Sequence, residues 1–364
     1  MEKTESKFNI IDCLVKAIKL GASDIHFRTG LPPVVRINGQ VERLDLPPLS
    51  ERDLGIGIEY ILPTSMRNQA YSMYDLDFPC EIEGISRFRV NLCRQLGKTS
   101  LVFRVVPYEI KTFEQLNLPQ SLTKLADLNN GLILITGPTG SGKSTTIASI
   151  VEYINQNYKK HIITIEDPVE FIYTSKKSLV TQRQIGVDAE NFPLSVKYAM
   201  RQDPDVIVIG EIRDRETMDA ALKAAETGHL VLATLHTNDA ITTINRVINL
   251  FELELQDYIR NQLAYCLRAT IAQKILPKQD STGRIPACEV LIVTPTIQDL
   301  IIKNDLDKIY ELVKYGQFSD MLTLNMSLDA LVKNGIISQE TAIMNSNRKN
   351  ELHNMLKGSY SGTR

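Results

Sequence analysis

No apolar run in this 364-residue chain approaches the roughly 20 residues that a membrane-spanning helix needs. The longest runs, such as Leu132–Ile135 and Val206–Ile209, have the length of buried strands. An excess of one charge is also missing: 41 Lys and Arg stand against 43 Asp and Glu, a net charge of −2. That balance, with no Lys/Arg-rich stretch, provides neither the basic field of a nucleic-acid binder nor the charge imbalance of a disordered chain. Cysteine is sparse. Cys13, Cys80, Cys93, Cys266 and Cys288 are scattered and never form a C-x-x-C pair, so no four-cysteine zinc module is expected and reduced thiols of a cytosolic protein are. The opening MEKTESKF is polar and carries two glutamates, which does not fit a signal peptide. Internal repeats and low-complexity tracts are absent too.

What is present is a 43% hydrophobic composition, enough for at least one full core, over a length that suits two or three domains of about 100–200 residues each. From Lys7 to Leu20, apolar residues at Phe8, Ile11, Val15 and Ile18 predict a helix closed by Gly21. Short alternating runs follow. Ile25–Phe27 precedes Pro32-Pro33, Val34–Ile37 precedes the hairpin signal Asn38-Gly39, and Arg87–Cys93 and Ser100–Val106 read as strands. Residues 1–106 are thus expected to form a small α+β domain, with 107–119 as a connecting stretch. From 120 to 292 apolar runs of strand length (Gly131–Thr136, Lys160–Ile165, Asp205–Ile209, His229–Leu235) alternate with helical segments, predicting a mainly parallel sheet covered by helices. Residues 293–364 read as amphipathic helices ending in a polar tail.

One segment carries most of the chemistry. Gly137-Pro138-Thr139-Gly140-Ser141-Gly142-Lys143-Ser144 fits the phosphate-binding pattern G-x-x-x-x-G-K-[ST], with an apolar strand before it and a helix-forming stretch from Thr145 after it. The glycines let the backbone curl so that its N–H groups face a β-phosphate, and the helix N-terminus adds partial positive charge. Lys143 is expected to reach the β- and γ-phosphates and the Ser144 hydroxyl to ligate Mg²⁺, which implies ATP as ligand.

Two acidic segments follow. After the strand at 205–209 stands Gly210-Glu211, where the usual aspartate of the second P-loop strand is replaced by glycine and Glu211 alone remains. A carboxylate at a strand's C-terminal end lies where such sheets bind ligands, so Glu211 is the candidate to polarise the attacking water, a role worth about 10²–10⁴-fold. Ile165-Glu166-Asp167-Pro168-Val169-Glu170 ends another strand, and Glu166, Asp167 and Glu170 are available to hold the water shell of Mg²⁺; spacing does not choose among them. His229 and His236 bracket the strand between them, and both are candidate catalytic residues. His236 is expected on the nucleotide face as a γ-phosphate sensor or relay, against the blander reading of two satisfied histidines.

Together, Gly137–Ser144, Glu166–Glu170, Gly210-Glu211 and Thr227-Gly228-His229…His236 resemble the type II/IV secretion ATPases, and within them the type IV pilus retraction ATPases; Gly21-Ala-Ser-Asp-Ile-His26 and Arg87-Phe-Arg-Val-Asn91 resemble the N-terminal domain of that group. The resemblance implies a PAS-like N-terminal domain joined to a RecA-like P-loop ATPase domain, six chains in a ring, and ATP bound between the domains. It further implies that Arg89 and Arg104 approach the γ-phosphate; alternation alone puts Arg87 and Arg89 on one face and does not separate them. The expected partners are an inner-membrane pilus platform protein and five further copies of the chain, with no nucleic acid. The expected place is the cytoplasmic side of the membrane, reached peripherally through the pilus machine. One departure bears on the direction of force: retraction ATPases tend to carry Ala-Ile-Arg-Asn-Leu where this chain has Thr296-Ile-Gln-Asp-Leu300. Assembly or secretion is therefore the alternative motor, and a nucleic-acid translocase or a P-loop phosphotransferase the alternative of another class.

Overall fold

The computed structural model describes residues 8–37, 39–63, 66–67, 74–106, 109–280, 283–315 and 320–357. Asn38 of the hairpin signal, the start of the connecting stretch at 107–108, the first seven residues and the polar tail from 358 lie outside the described residues. The chain divides into two units, Met1–Glu109 and Ile110–Arg364.

In the first unit, helix α1 (Ile10–Lys19) starts where Asn9 accepts a bond from the N–H of Ile11 and buries Ile10, Cys13, Leu14 and Ala17, a stripe at helical spacing. Gly21, at φ 75°, takes the left-handed position that ends it. Strands β1 (Asp24–Arg28), β2 (Val34–Ile37) and β3 (Gln40–Arg43) are followed by helix α2 (Glu51–Ile61), which opens with a capping box of Ser50 and Asp53. Strands β4 (Asp75–Ile82), β5 (Ser86–Gln95) and β6 (Lys98–Val106) complete an antiparallel sheet in the order β3-β2-β1-β6-β5-β4. One face is apolar and closed around Phe27, Phe88 and Phe103, whose rings meet edge to face at 5.4 and 5.6 Å. The other face is open, with Arg89 and Arg104 exposed on it. The sequence reading did not assign β4, an edge strand that tolerates Pro79 because its outer N–H positions need no partner.

In the second unit, residues of 113–118 pack into its core, with Phe113 and Leu118 buried against helix α3 (Ser121–Ala126) and its surroundings. A seven-stranded sheet runs in the order β13-β12-β7-β11-β10-β8-β9. Its members are β7 (Gly131–Thr136), β8 (His161–Glu166), β9 (Leu179–Gln184), β10 (Val206–Ile209), β11 (Leu230–Leu235), β12 (Leu267–Pro277) and β13 (Arg284–Ile292). All neighbours are parallel except β12 and β13. Every residue of β7, β10 and β11 is buried, as expected for strands covered on both faces. The covering helices are α4 (Lys143–Asn157), α5 (Phe192–Ala199), α6 (Arg215–Glu226), α7 (Ala240–Ile248) and α8 (Leu253–Cys266).

Among the described residues the sheet is followed by helices α9 (Pro295–Ile302), α10 (Asp307–Tyr315), α11 (Leu324–Lys333), α12 (Gln339–Asn345) and α13 (Lys349–Leu356). The last three pack on the β12–β13 hairpin through Leu276, Ile285, Leu328, Ile337 and Leu352. Thr296–Leu300 lies in α9, anchored by buried Ile297. Among the described residues no helix is long and apolar enough to cross a membrane.

Candidate active site

Because β7, β8, β10 and β11 run parallel, the residues that follow them emerge at one edge of the sheet. These are the loop 137–142, Glu166-Asp167, Gly210-Glu211 and His236. The loop after β7 is shaped by contacts that exclude side chains. A Cβ on Gly137 (φ 144°) would lie 2.3 Å from the carbonyl oxygen of Gln273, and one on Gly142 (φ 86°) 2.9 Å from its Nε2. Glycine is required at both positions by backbone angle and by space. Pro138, Thr139 and Gly140 are exposed, whereas Lys143 is buried and opens α4 with its Nζ donating to the carbonyls of Gly137 (2.9 Å) and Pro138 (3.1 Å). Burial lowers the pKa of this ammonium, and the two charges that oppose the shift are Glu211 and Glu170.

Glu211 accepts from Arg213 Nη2 at 2.8 Å and meets His236 Nε2 at 2.9 Å. Burial alone would raise its carboxyl, but the Arg213 bond and charge, followed by those of His236, outweigh it and hold the group below the usual carboxylate range. It is therefore ionised at neutral pH, as an acceptor of a water proton must be. The loop that carries it is fixed by Thr234, whose hydroxyl donates to Gly210 O (2.6 Å) and whose carbonyl accepts from Ile212 N (2.9 Å). The glycine at 210 has a steric cause: a Cβ there would sit 3.2 Å from Glu166 Cα and 3.3 Å from Ile165 O, both backbone atoms of the neighbouring strand. A side chain here would require the backbone of β8 to give by a few tenths of an ångström.

The three acids after β8 differ. Glu166 accepts from the Thr164 hydroxyl (2.7 Å), the Glu170 N–H (3.3 Å) and Gln182 Nε2 (3.4 Å), and its burial pushes its pKa up in spite of these bonds. Asp167 is exposed and acts on Arg213 through its charge. Glu170 is exposed and is the one whose charge reaches Lys143.

His229 is not brought to this cluster. It precedes β11, at the opposite edge of the sheet, where its carbonyl accepts from the N–H of Gly131 at the start of β7. Its ring lies within hydrogen-bond distance of Ala224 O (2.9 Å) and Thr227 Oγ1 (3.1 Å), closing the end of α6. Arg89 and Arg104 belong to the other unit, where they face each other across β5 and β6. Arg104 Nε donates to Asp24 Oδ1 at 2.9 Å, and Arg89 stands 4.0 Å from Asp77.

Sequence reasoning passed over Arg213 and Gln273. Two-residue alternation from Glu211 along an extended segment would have flagged the first, and a lone amide among apolar strand residues the second. A nucleotide and magnesium fit the residues present. The loop is a cradle that side chains at 137 and 142 would fill, and half-buried Ser144 sits in the first turn of α4. Its hydroxyl and the nearby carboxylates are the hard oxygen donors magnesium prefers. Among the described residues no group of three or more His, Cys, Asp or Glu forms a protein cage, and magnesium held mainly by phosphates and water needs none.

Comparison with known proteins gives a consistent result. The family model for type II/IV secretion system proteins matches residues 74–325. The chain is 42% identical over 92% of its length to the type IV pilus retraction ATPase PilT of Pseudomonas aeruginosa, covering 97% of that protein. It is 39% identical over 85% of its length to a twitching motility protein of Neisseria gonorrhoeae, covering 83% of it. Among solved structures, the pilus retraction motor PilT with bound ADP superposes with a TM-score of 0.90 at 43% identity, covering 96% of this chain and all of that one.

Proposed function

The chain belongs to the type II/IV secretion system protein family, and from that premise we propose that it is a magnesium-dependent ATPase motor that retracts a type IV pilus. The observation that carries this reading is the meeting of Lys143, Glu211 and His236 beside the 137–142 loop at one edge of the sheet. Similarity to PilT over nearly the whole of both chains supports the direction of force. The architecture is that of the solved relative, an N-terminal domain and a RecA-like ATPase domain, with helices closing the chain.

In this reading Gly137 to Thr145 enclose the phosphates of ATP, and Lys143 exchanges its bonds to the loop carbonyls for bonds to the β- and γ-phosphates. Ser144 and, through water, Glu170 or Asp167 would hold magnesium, which would supply neutralisation of phosphate charge. Glu211 takes a proton from water as its oxygen bonds to the γ-phosphorus; the bond to the bridging oxygen breaks and ADP leaves. His236, hydrogen-bonded to Glu211, orients that carboxylate and senses whether the third phosphate is present. On the strength of the family resemblance we assign Arg89 and Arg104 to the γ-phosphate, six copies to a ring, and a platform protein at the inner face of the membrane to the load. His229 takes a supporting part at the end of α6 in place of a catalytic one.

Purified protein should hydrolyse Mg-ATP, and Lys143→Ala should remove both turnover and nucleotide binding; a wild-type chain that takes up no ATP at millimolar concentration overturns the reading. A deletion strain with abundant but immobile pili identifies retraction. Bald cells identify assembly, the second reading, which Gln298 in place of the usual arginine favours.

A further inference from the structure

Strand β12 is buried without a break from Ala269 to Gln273, and the last of these is an amide only 3% exposed. A buried amide is costly unless both its ends are bonded. Its Nε2 donates to Ser141 O at 2.8 Å and its Oε1 accepts from the Thr146 hydroxyl at 2.7 Å. The orientation is forced, because a backbone carbonyl only accepts. The partners lie 132 and 127 residues away in sequence, one in the phosphate loop and one in the first turn of α4. The main chain of Gln273 also bears on the loop, since its carbonyl oxygen occupies the space a Cβ on Gly137 would need.

We propose that Gln273 is a positioning residue for nucleotide binding: from β12 it straps the phosphate loop to the start of α4 and so preforms the cradle. The peptide between Ser141 and Gly142 is planar, with C=O and N–H pointing opposite ways. Anchoring the Ser141 carbonyl to Gln273 therefore fixes the Gly142 N–H pointing away from that amide. A loop with Gly140 and Gly142 at φ 78° and 86° has much freedom to lose, and a strap formed before the ligand arrives removes that cost from binding. Lys143 also ties the loop, through Gly137 and Pro138, but those bonds are surrendered when its ammonium moves to phosphate. The bonds of Gln273 compete with no ligand atom and persist.

The inference rests on the reading of 137–144 as an ATP site, and its test separates the two. Full-length wild type, Gln273→Met, Gln273→Glu and Thr146→Val are titrated with Mg-ADP by calorimetry and followed by amide hydrogen exchange without nucleotide. Gln273→Met should weaken ADP about tenfold, equal to about 1.4 kcal/mol, and raise KM for ATP with kcat at saturation changed less than about threefold. Gln273→Glu should bind more weakly still, since an acceptor faces the Ser141 carbonyl and negative charge is added behind the phosphates. Thr146→Val, losing one bond of two, should fall between wild type and Gln273→Met. In Gln273→Met, exchange should quicken in 137–144 and stay unchanged in β11. Wild-type affinity in Gln273→Met with unaltered loop exchange overturns the proposal. If that variant fails to fold, Thr146→Val decides, and unchanged ADP affinity there overturns it. If wild type binds no nucleotide, the ATP reading fails by itself, and loop exchange in the variants still decides whether the strap exists.

Discussion

The two sheets of this protein carry polar chemistry in opposite ways. In the parallel sheet of the second unit the central strands are buried from end to end, and Lys143, Glu211, Glu170 and His236 stand just beyond strand termini. In the antiparallel sheet of the first unit one face is core and the other is open, so Asp24, Arg89 and Arg104 sit within strands, held by cross-strand partners. A residue in a loop past a strand end can change its chemistry without disturbing the ladder. A residue on an open strand face is tied to its neighbours' charges.

The largest effect that follows is on rate. Glu211→Gln keeps the shape of the site and removes the proposed proton acceptor, so Mg-ATP turnover should drop about 10²–10⁴-fold with ADP affinity and thermal midpoint nearly unchanged. A matching loss of stability would mean that strand-end residues are not separable from the sheet. The second effect is on the first unit's core. Phe103 is fully buried between Phe27 and Phe88, and Phe103→Ala should cost about 3–5 kcal/mol in urea unfolding.

The comparison also explains what could be read from the sequence. Alternation in 87–93 and 100–106 and the continuous apolar runs of β7, β10 and β11 are local signals, and both sheets showed in them. The tight loop at 137–142 was legible because its glycine pattern is written in consecutive residues. Strand β4 escaped notice, as did the β12–β13 hairpin, whose Gln273 finds its partners more than 120 residues away in sequence. The sequence put His236 past the C-terminal end of its strand and so on the nucleotide face, but it did not show that the ring of His229 is taken up by Ala224 and Thr227 at the end of α6. The glycine at 210 was visible, but its reason, the backbone of β8 pressed against it, was not.

Each unit contains a buried acid that tests the contrast. In the parallel unit it is Glu289, a carboxylate inside β13, nearly fully buried, accepting from the N–H of Ala240 at 2.8 Å. Burial pushes its pKa up to about 7, despite bonds from Ala240 and Leu324 N–H. The folded value lies above the ordinary 4.5, so the folded state binds the proton more tightly. Its contribution is full below pH 4.5 and is lost as pH rises through 7, a fall of about 3 kcal/mol. Urea unfolding of wild type between pH 5 and 8 should show this decline, and Glu289→Gln should flatten it.

In the antiparallel unit it is Asp24, a mostly buried acid on an otherwise open face, bonded to Arg104 and to the Ser23 hydroxyl and 4.0 Å from Arg36. Burial would raise its carboxyl, yet the bonds and charge of Arg104 and the Ser23 bond hold it below its ordinary value. The stabilisation is therefore present above the unfolded pKa of 3.8 and is lost as pH falls through the lower folded one. Arg104 is largely exposed, so solvent screening keeps the pair small, and Asp24→Asn should cost about 1 kcal/mol at pH 7. The difference from wild type should fade in acid. The same variant leaves Arg104 without its anchor. If Arg104 serves the γ-phosphate, kcat should fall several-fold with ADP affinity unchanged. Turnover equal to wild type, alongside the stability loss, would make this face a scaffold and confine the chemistry to the edge of the parallel sheet.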